Sequence, residues 1–186
     1  MHDQHIVNRD VKLANFFLTD DYETLKMGDF GLSGFSEDGQ HNLISQEGLR
    51  MPHYAPEVWA GKGYGIEADI FSLGTMMYKL TTNYYPFDNR ELRRNIVENQ
   101  HPESYKNLLL GIFSPIENKQ YSDALKQLIY SMFTVDPSKR PTAKDLINTP
   151  YMSDYIKQRA KMDPKEPKLF RSYGEQKVKE EKDAKK

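Results

Sequence analysis

The residues that could do chemistry stand close together near the start of the chain. Asp10, Lys12 and Asn15 share one short segment, and Asp29 follows after two brief apolar runs, Phe16 to Leu18 and Leu25 to Met27. Those runs flank a polar turn from Thr19 to Thr24, the pattern of a small β-hairpin. Folding the hairpin brings the side chains before its first strand and after its second to one edge. An amide oxygen from Asn15 and a carboxylate from Asp29 on such an edge suit Mg²⁺, a hard cation that takes oxygen ligands and keeps phosphates and waters as its other partners. The carboxylate of Asp10 is then available for proton work.

The surrounding pattern is specific. Arg9-Asp10-Val11-Lys12-Leu13-Ala14-Asn15, followed one hairpin later by Asp29-Phe30-Gly31, resembles the catalytic and metal-binding loops of eukaryotic protein kinases. Lys12 is similar to the Ser/Thr-directed members, and the segment around it is similar in style to the polo-like, NIMA-related and calmodulin-dependent groups. The resemblance implies that Asp10 accepts the substrate hydroxyl proton and that Lys12 places a cation near the transferring phosphoryl group. It also implies that Asn15 and Asp29 hold Mg²⁺ and, through it, ATP, over an apolar floor at Phe17. Phe30 and Gly31 complete the metal-binding loop. ATP and a protein carrying Ser or Thr hydroxyls are the implied partners. One departure is Asn8, which stands where the family usually has His packed beneath the Phe of Asp-Phe-Gly.

The elements that must position these residues follow in order. Residues 32–54 form a polar connector with little periodicity, and long connectors inside compact domains are usually functional. Its place between Asp-Phe-Gly and Ala55-Pro56-Glu57 resembles an activation segment, with Ser33, Ser36 and Ser45 as hydroxyls. Ser45 lies near the usual phosphorylated position, and Arg9 would be the charge partner of that phosphate; an unmodified exposed serine is the other reading. A second departure sits before Ala55, where a Thr that hydrogen-bonds the catalytic Asp and Lys is replaced by Arg50, or by Met51 if one gap is allowed. The resemblance also pairs Glu57 with Arg140 in Asp136-Pro137-Ser138-Lys139-Arg140.

Gly61-Lys62-Gly63-Tyr64-Gly65 is not a phosphate-cradling loop, because the template requires glycine where Ile66 stands and no strand precedes it. From Glu67 to Thr82, Ile70, Leu73, Met77 and Leu80 recur at helical spacing, with Phe71 and Met76 widening the apolar face into an almost wholly buried helix. Asp69 at its start is a helix N-terminal acid, and by resemblance the buried Asp that hydrogen-bonds the catalytic-loop backbone. Further helices are expected at Asn89–Gln100, at Tyr121–Phe133 with Ser122 as N-cap, and from Thr142 to Ile147. Met1 to Val7 resembles the end of a long helix, with residue 1 in mid-helix. His2 and His5 have a metal-ligand spacing but no third ligand, so a helix-terminal reading is preferred.

Composition bounds the rest. The chain has 186 residues, 38% of them hydrophobic, which suffices for one domain with its own core. A net charge of −1 gives no reason to expect nucleic acid as a partner. There is no cysteine for a disulfide or thiolate metal site, and no apolar run of membrane-spanning length or signal peptide, so a cytoplasmic or nuclear location with no membrane partner is expected. The implied fold is mainly α: a kinase-like C-terminal lobe at 1–153, with a small β-hairpin carrying the two loops and without the N-terminal β-rich lobe. Residues 154–186 read as a charged extension, largely disordered. Two functional readings stand side by side. One is the C-lobe of a Ser/Thr kinase that in full-length form phosphorylates proteins; the other is a kinase-like interaction module that catalyses nothing.

Overall fold

The computed structural model describes residues 1–20, 24–35, 51–63, 65–87 and 103–162. The chain divides into two compact units, one of residues 1–15 with 28–142 and one of residues 16–27 with the chain from 143 onward. The first is mainly helical. Its elements are the strands β1 (Ile6–Val7) and β4 (Gly34–Phe35) and the helices α1 (Pro56–Trp59), α2 (Ile66–Thr82), α3 (Glu103–Leu110) and α4 (Asp123–Ser131). The second contains the strands β2 (Phe16–Leu18) and β3 (Leu25–Met27) and the helices α5 (Ala143–Ile147) and α6 (Pro150–Met162).

Helix α2 is the spine of the first unit, and its inward face differs from the apolar stripe seen in the sequence. Ala68, Ile70, Phe71, Gly74, Thr75, Met76 and Tyr78 are buried, whereas Leu73 and Met77 are half-buried and Leu80 is 58% exposed. The reason is steric. Small residues on that face let α2 meet the end of α4 closely: a Cβ added at Gly74 would lie 2.7 Å from Met132 Cβ and 3.1 Å from Phe133 Cε1. Large stripe residues could not be accommodated there, because interiors are close-packed. Around this junction Phe71, Phe87, Phe113 and Phe133 pack with ring centroids from 4.9 Å (Phe113 and Phe133) to 6.2 Å (Phe87 and Phe113). Tilted and edge-on contacts dominate, the geometry that aromatic quadrupoles prefer.

Local signals set the helix ends. Ser122 caps α4, its Oγ accepting from Leu125 N–H at 3.2 Å. Pro56 opens α1 at its first turn, where its missing N–H costs no hydrogen bond. Asn83 ends α2 in the left-handed region (φ 65°), its N–H donating to Lys79 O. The expected helix end at Met1–Val7 is instead one 3₁₀ turn, His2–Gln4, with Gln4 N–H bonded to Met1 O and His5 N–H to His2 O. Those i to i+3 bonds tighten the chain before β1.

In the second unit β2 and β3 pair antiparallel, Phe16 opposite Met27, Phe17 opposite Lys26 and Leu18 opposite Leu25. Thr19 N–H donates to Thr24 O to close the ladder. Helices α5 and α6 pack on one another, with Leu146 and Ile156 buried. Helix α6 runs across the boundary expected at 153/154, since it continues to Met162. The expected helix at Asn89–Gln100, Ser36, Ser45, Arg50 and the tail beyond residue 162 lie outside the described residues. Among the described residues no helix is long and apolar enough to cross a membrane.

Candidate active site

Strand β1 pairs antiparallel with β4, Ile6 opposite Phe35 and Val7 opposite Gly34, and the chain turns sharply after it. Arg9 sits in the left-handed region at φ 66°, a costly conformation for a side chain with a Cβ. Asp69, in the first turn of α2, holds that turn: Oδ2 accepts from Asn8 N–H at 2.7 Å and Oδ1 from Arg9 N–H at 2.9 Å. His2 Nε2 adds a third contact to Asp69 at 3.0 Å, so His2 belongs to this anchor. Among the described residues no group of three or more His, Cys, Asp or Glu side chains is gathered to hold a metal.

Asn8 is fully buried and continues the chain of bonds, its Oδ1 accepting from Asp10 N–H at 3.1 Å. Where the family usually has an imidazole, position 8 thus carries a short polar group bonded to the backbone of its own loop. Asp10 itself is buried. Its Oδ2 accepts from Lys12 Nζ at 2.6 Å and from Asn15 Nδ2 at 3.0 Å, and Asn15 Nδ2 also reaches Asp10 O at 2.9 Å. A 3₁₀ turn, Leu13–Asn15, makes this possible by folding Asn15 back over the loop. The structure therefore brings Asp10, Lys12 and Asn15 into one bonded group.

The Asp29-Phe30-Gly31 loop arrives by backbone contact. Gly28 N–H donates to Asn15 O at 2.8 Å, tying the residue before β2 to the residue after β3. Asp29 follows with φ 54°, and its Oδ1 accepts from Gly31 N–H at 3.2 Å. A Cβ at Gly31 would lie 3.2 Å from that same oxygen, a close contact with the end of the Asp29 side chain. Asn15 spends its amide nitrogen on Asp10, which leaves its carbonyl oxygen as the end able to meet a hard cation. Asn15 and Asp29 are oxygen donors and fit Mg²⁺, which takes one or two protein ligands and completes its octahedron with phosphates and water.

The remaining site residues are placed as follows. Phe17 is 56% exposed on β2, and Phe30 is 50% exposed in the loop after Asp29. Gly34 leaves room for Arg9: a Cβ there would overlap the Arg9 guanidinium. Glu57 and Arg140 meet in a buried bidentate pair, Nη1 to Oε1 at 2.7 Å and Nη2 to Oε2 at 3.0 Å.

Where the family usually has a Thr hydroxyl and this chain has Arg50 or Met51, the connector side chain that approaches Asp10 is an imidazole. His53 is 2% exposed, and its Nε2 lies 3.5 Å from Asp10 Oδ1, on the carboxylate oxygen that Lys12 and Asn15 do not use. That nitrogen has no well-formed hydrogen bond. Burial pushes the imidazole down to about 4; Asp10 pulls the other way, and Lys12 adds to the fall. The ring is therefore neutral near pH 7. Sequence reading missed His53, whose approach to Asp10 joins residues more than forty positions apart. Met51 does something different: its carbonyl accepts from Trp59 Nε1 at 3.2 Å.

The first unit is thus mainly helical, with a buried Asp held by Lys and Asn beside an Asp-Phe-Gly loop, the arrangement expected from the protein-kinase resemblance. Comparison with known proteins agrees. The protein kinase domain profile matches residues 1–152, and the chain belongs to the protein kinase family. It is 35% identical over 162 residues to the serine/threonine-protein kinase PLK1 of Xenopus laevis, covering 86% of this chain and 25% of that protein. It is 33% identical over 158 residues to the probable serine/threonine-protein kinase nek3 of Dictyostelium discoideum, covering 82% of this chain and 13% of that protein. To the serine/threonine-protein kinase Nek5 of Homo sapiens it is 29% identical over 157 residues, 84% of this chain and 20% of that protein. The chain thus spans a third or less of the length of these relatives.

Proposed function

We propose that this chain is the C-lobe, residues 1–153, of a Ser/Thr protein kinase that in its full-length form transfers the γ-phosphoryl group of ATP to protein hydroxyls. The observation that carries the reading is the bonded group of Asp10, Lys12 and Asn15 on a loop that Asp69 anchors from below. Asp10 takes the proton of the attacking hydroxyl, while Lys12 stands beside it to balance charge on the phosphoryl oxygens. Asn15 and Asp29 would hold Mg²⁺, which when bound neutralises the phosphates. Phe17 offers an apolar surface to adenine, and Arg9 is the charge partner of a phosphorylated connector, with Ser45 its candidate. An interaction module would need only the fold, and has no chemical use for a lysine held on a buried carboxylate.

Positioning and electrostatics supply nearly all catalysis in this reaction, so the triphosphate needs contacts beyond those made by Asn15 and Asp29. The 186 residues alone should therefore bind Mg-ATP weakly and turn nothing over. The test compares this chain with a longer kinase polypeptide that carries it, using calorimetric Mg-ATP titration and phosphate transfer to a generic Ser/Thr protein. Transfer by the longer polypeptide that disappears in Asp29→Ala supports the reading. Absence of transfer from both, with a stably folded protein, would favour the interaction module.

A further inference from the structure

The two oxygens of the Asp10 carboxylate are treated differently by the fold. Oδ2 carries Lys12 Nζ and Asn15 Nδ2, whereas Oδ1 has His53 Nε2 beside it at 3.5 Å. His53 is held by contacts from α2 and from its own neighbours. Its carbonyl accepts from Ser72 Oγ at 2.8 Å, its ring stands edge-on to Tyr54 with centroids 4.9 Å apart, and the next turn of chain leads into the Glu57–Arg140 pair. The nitrogen aimed at Asp10 is buried and lacks a proper hydrogen bond. Such an atom is costly to leave unpaired, and Asp10 is the group that can pair it.

We propose that His53 is a positioning residue for Asp10, its Nε2–H holding Oδ1 so that the carboxylate is gripped from both sides when substrate is bound. This rests on the reading of Asp10 as the proton acceptor. Catalytic hydrogen bonds are often long in the free enzyme and shorten in the substrate complex, so a closing movement of less than an ångström brings 3.5 Å into bonding range. A neutral donor suits the task. An imidazolium in the same place would favour the ionised carboxylate and make it a weaker base, whereas a neutral N–H orients the oxygen with less effect on its basicity. The ring is kept neutral by its burial. The donor must then be the Nε2–H tautomer, with Nδ1 bare.

The proposal is tested in two arms. In the longer kinase polypeptide that carries this chain, His53→Ala should lower kcat by about 10- to 100-fold through misplacement of the base, with KM for ATP changed less than about twofold. His53→Gln, whose amide N–H reaches a similar point, should recover most of that loss. Equal losses in the Ala and Gln variants, or an unchanged kcat in His53→Ala, would overturn it, and thermal melts identify any variant that loses activity by unfolding. The second arm needs no catalysis. Long-range ¹H–¹⁵N spectra of the 186-residue chain, assigned with His53→Gln, should show a neutral Nε2–H ring whose Nε2 shift moves in Asp10→Asn. An Nδ1–H tautomer, or a ring indifferent to Asp10→Asn, refutes the pairing. If the unsubstituted longer polypeptide transfers no phosphate, the kinase reading fails, and the spectra still decide whether His53 holds Asp10.

Discussion

Two buried charge clusters lie in the same helical unit and are built on opposite rules. At Arg140 every guanidinium donor is used. Nε donates to Thr134 O, Nη1 to Glu57 Oε1 and Glu67 O, and Nη2 to Glu57 Oε2 and Val135 O, while the Phe71 ring lies 5.0 Å beneath. Around Asp10 the accounts do not close: Asn8 Nδ2 and His53 Nε2 are buried without hydrogen-bond partners among the described residues. A saturated cluster has one arrangement and resists change. The difference separates a closed joint between α1 and the segment after α4 from a cluster in which some buried polar atoms are left unpaired.

Four perturbations would break or sharpen this contrast. The largest effect is expected at the open cluster. Asp10→Asn in an active kinase polypeptide should cost about 10²- to 10⁴-fold in kcat, with little change in ATP affinity and little change in melting temperature. Steady-state peptide phosphorylation beside a thermal melt checks both halves. A large drop in stability would place Asp10 in the scaffold.

At the closed cluster the signature should be reversed. Arg140→Ala strands the Glu57 carboxylate and should destabilise the fold by about 3–5 kcal/mol, read from the urea midpoint. Arg140→Lys keeps the charge but loses the two-pronged geometry, and should fall between. If Arg140→Ala unfolds at the parent's midpoint, the pair contributes nothing despite its geometry.

A smaller effect comes from pH. The His53 imidazole is lowered from 6.5 to about 4 in the folded chain, mainly by burial. Between those values the unfolded chain binds a proton that the folded chain refuses. The stability is therefore intact above pH 6.5 and is lost as pH falls toward 4, by up to about 3 kcal/mol. Urea unfolding at pH 7 and pH 5 should show this slope, and His53→Gln should flatten it. The smallest effect lies away from both clusters, at a helix end: Ser122→Ala should cost about 1 kcal/mol with no effect on catalysis.

Part of this structure could be read from local pattern. The strands Phe16–Leu18 and Leu25–Met27 and the Ser122 cap follow from signals a few residues long, and the physics behind them acts over the same few residues. Lys12 and Asn15 could be placed near Asp10 for the same reason, since one 3₁₀ turn suffices to fold them back. The inward face of α2 could not. Hydrophobicity alone pointed to Leu73, Met77 and Leu80, but the close approach of Met132 to Gly74 turned a smaller-sided face inward.

The sequence by itself determined the β2–β3 hairpin, where α4 starts, and which residues of the loop before β2 carry oxygen and nitrogen donors. Only the tertiary structure decided that His53 faces Asp10, that His2 joins Asn8 and Arg9 on Asp69, and that α2 buries Gly74 in place of Leu80. Those partners are separated by tens of residues, and chain spacing carries no information about which side chains meet once helices pack. Their meeting is set by excluded volume and by the need to pair each buried polar atom, conditions that exist only when the whole unit is assembled.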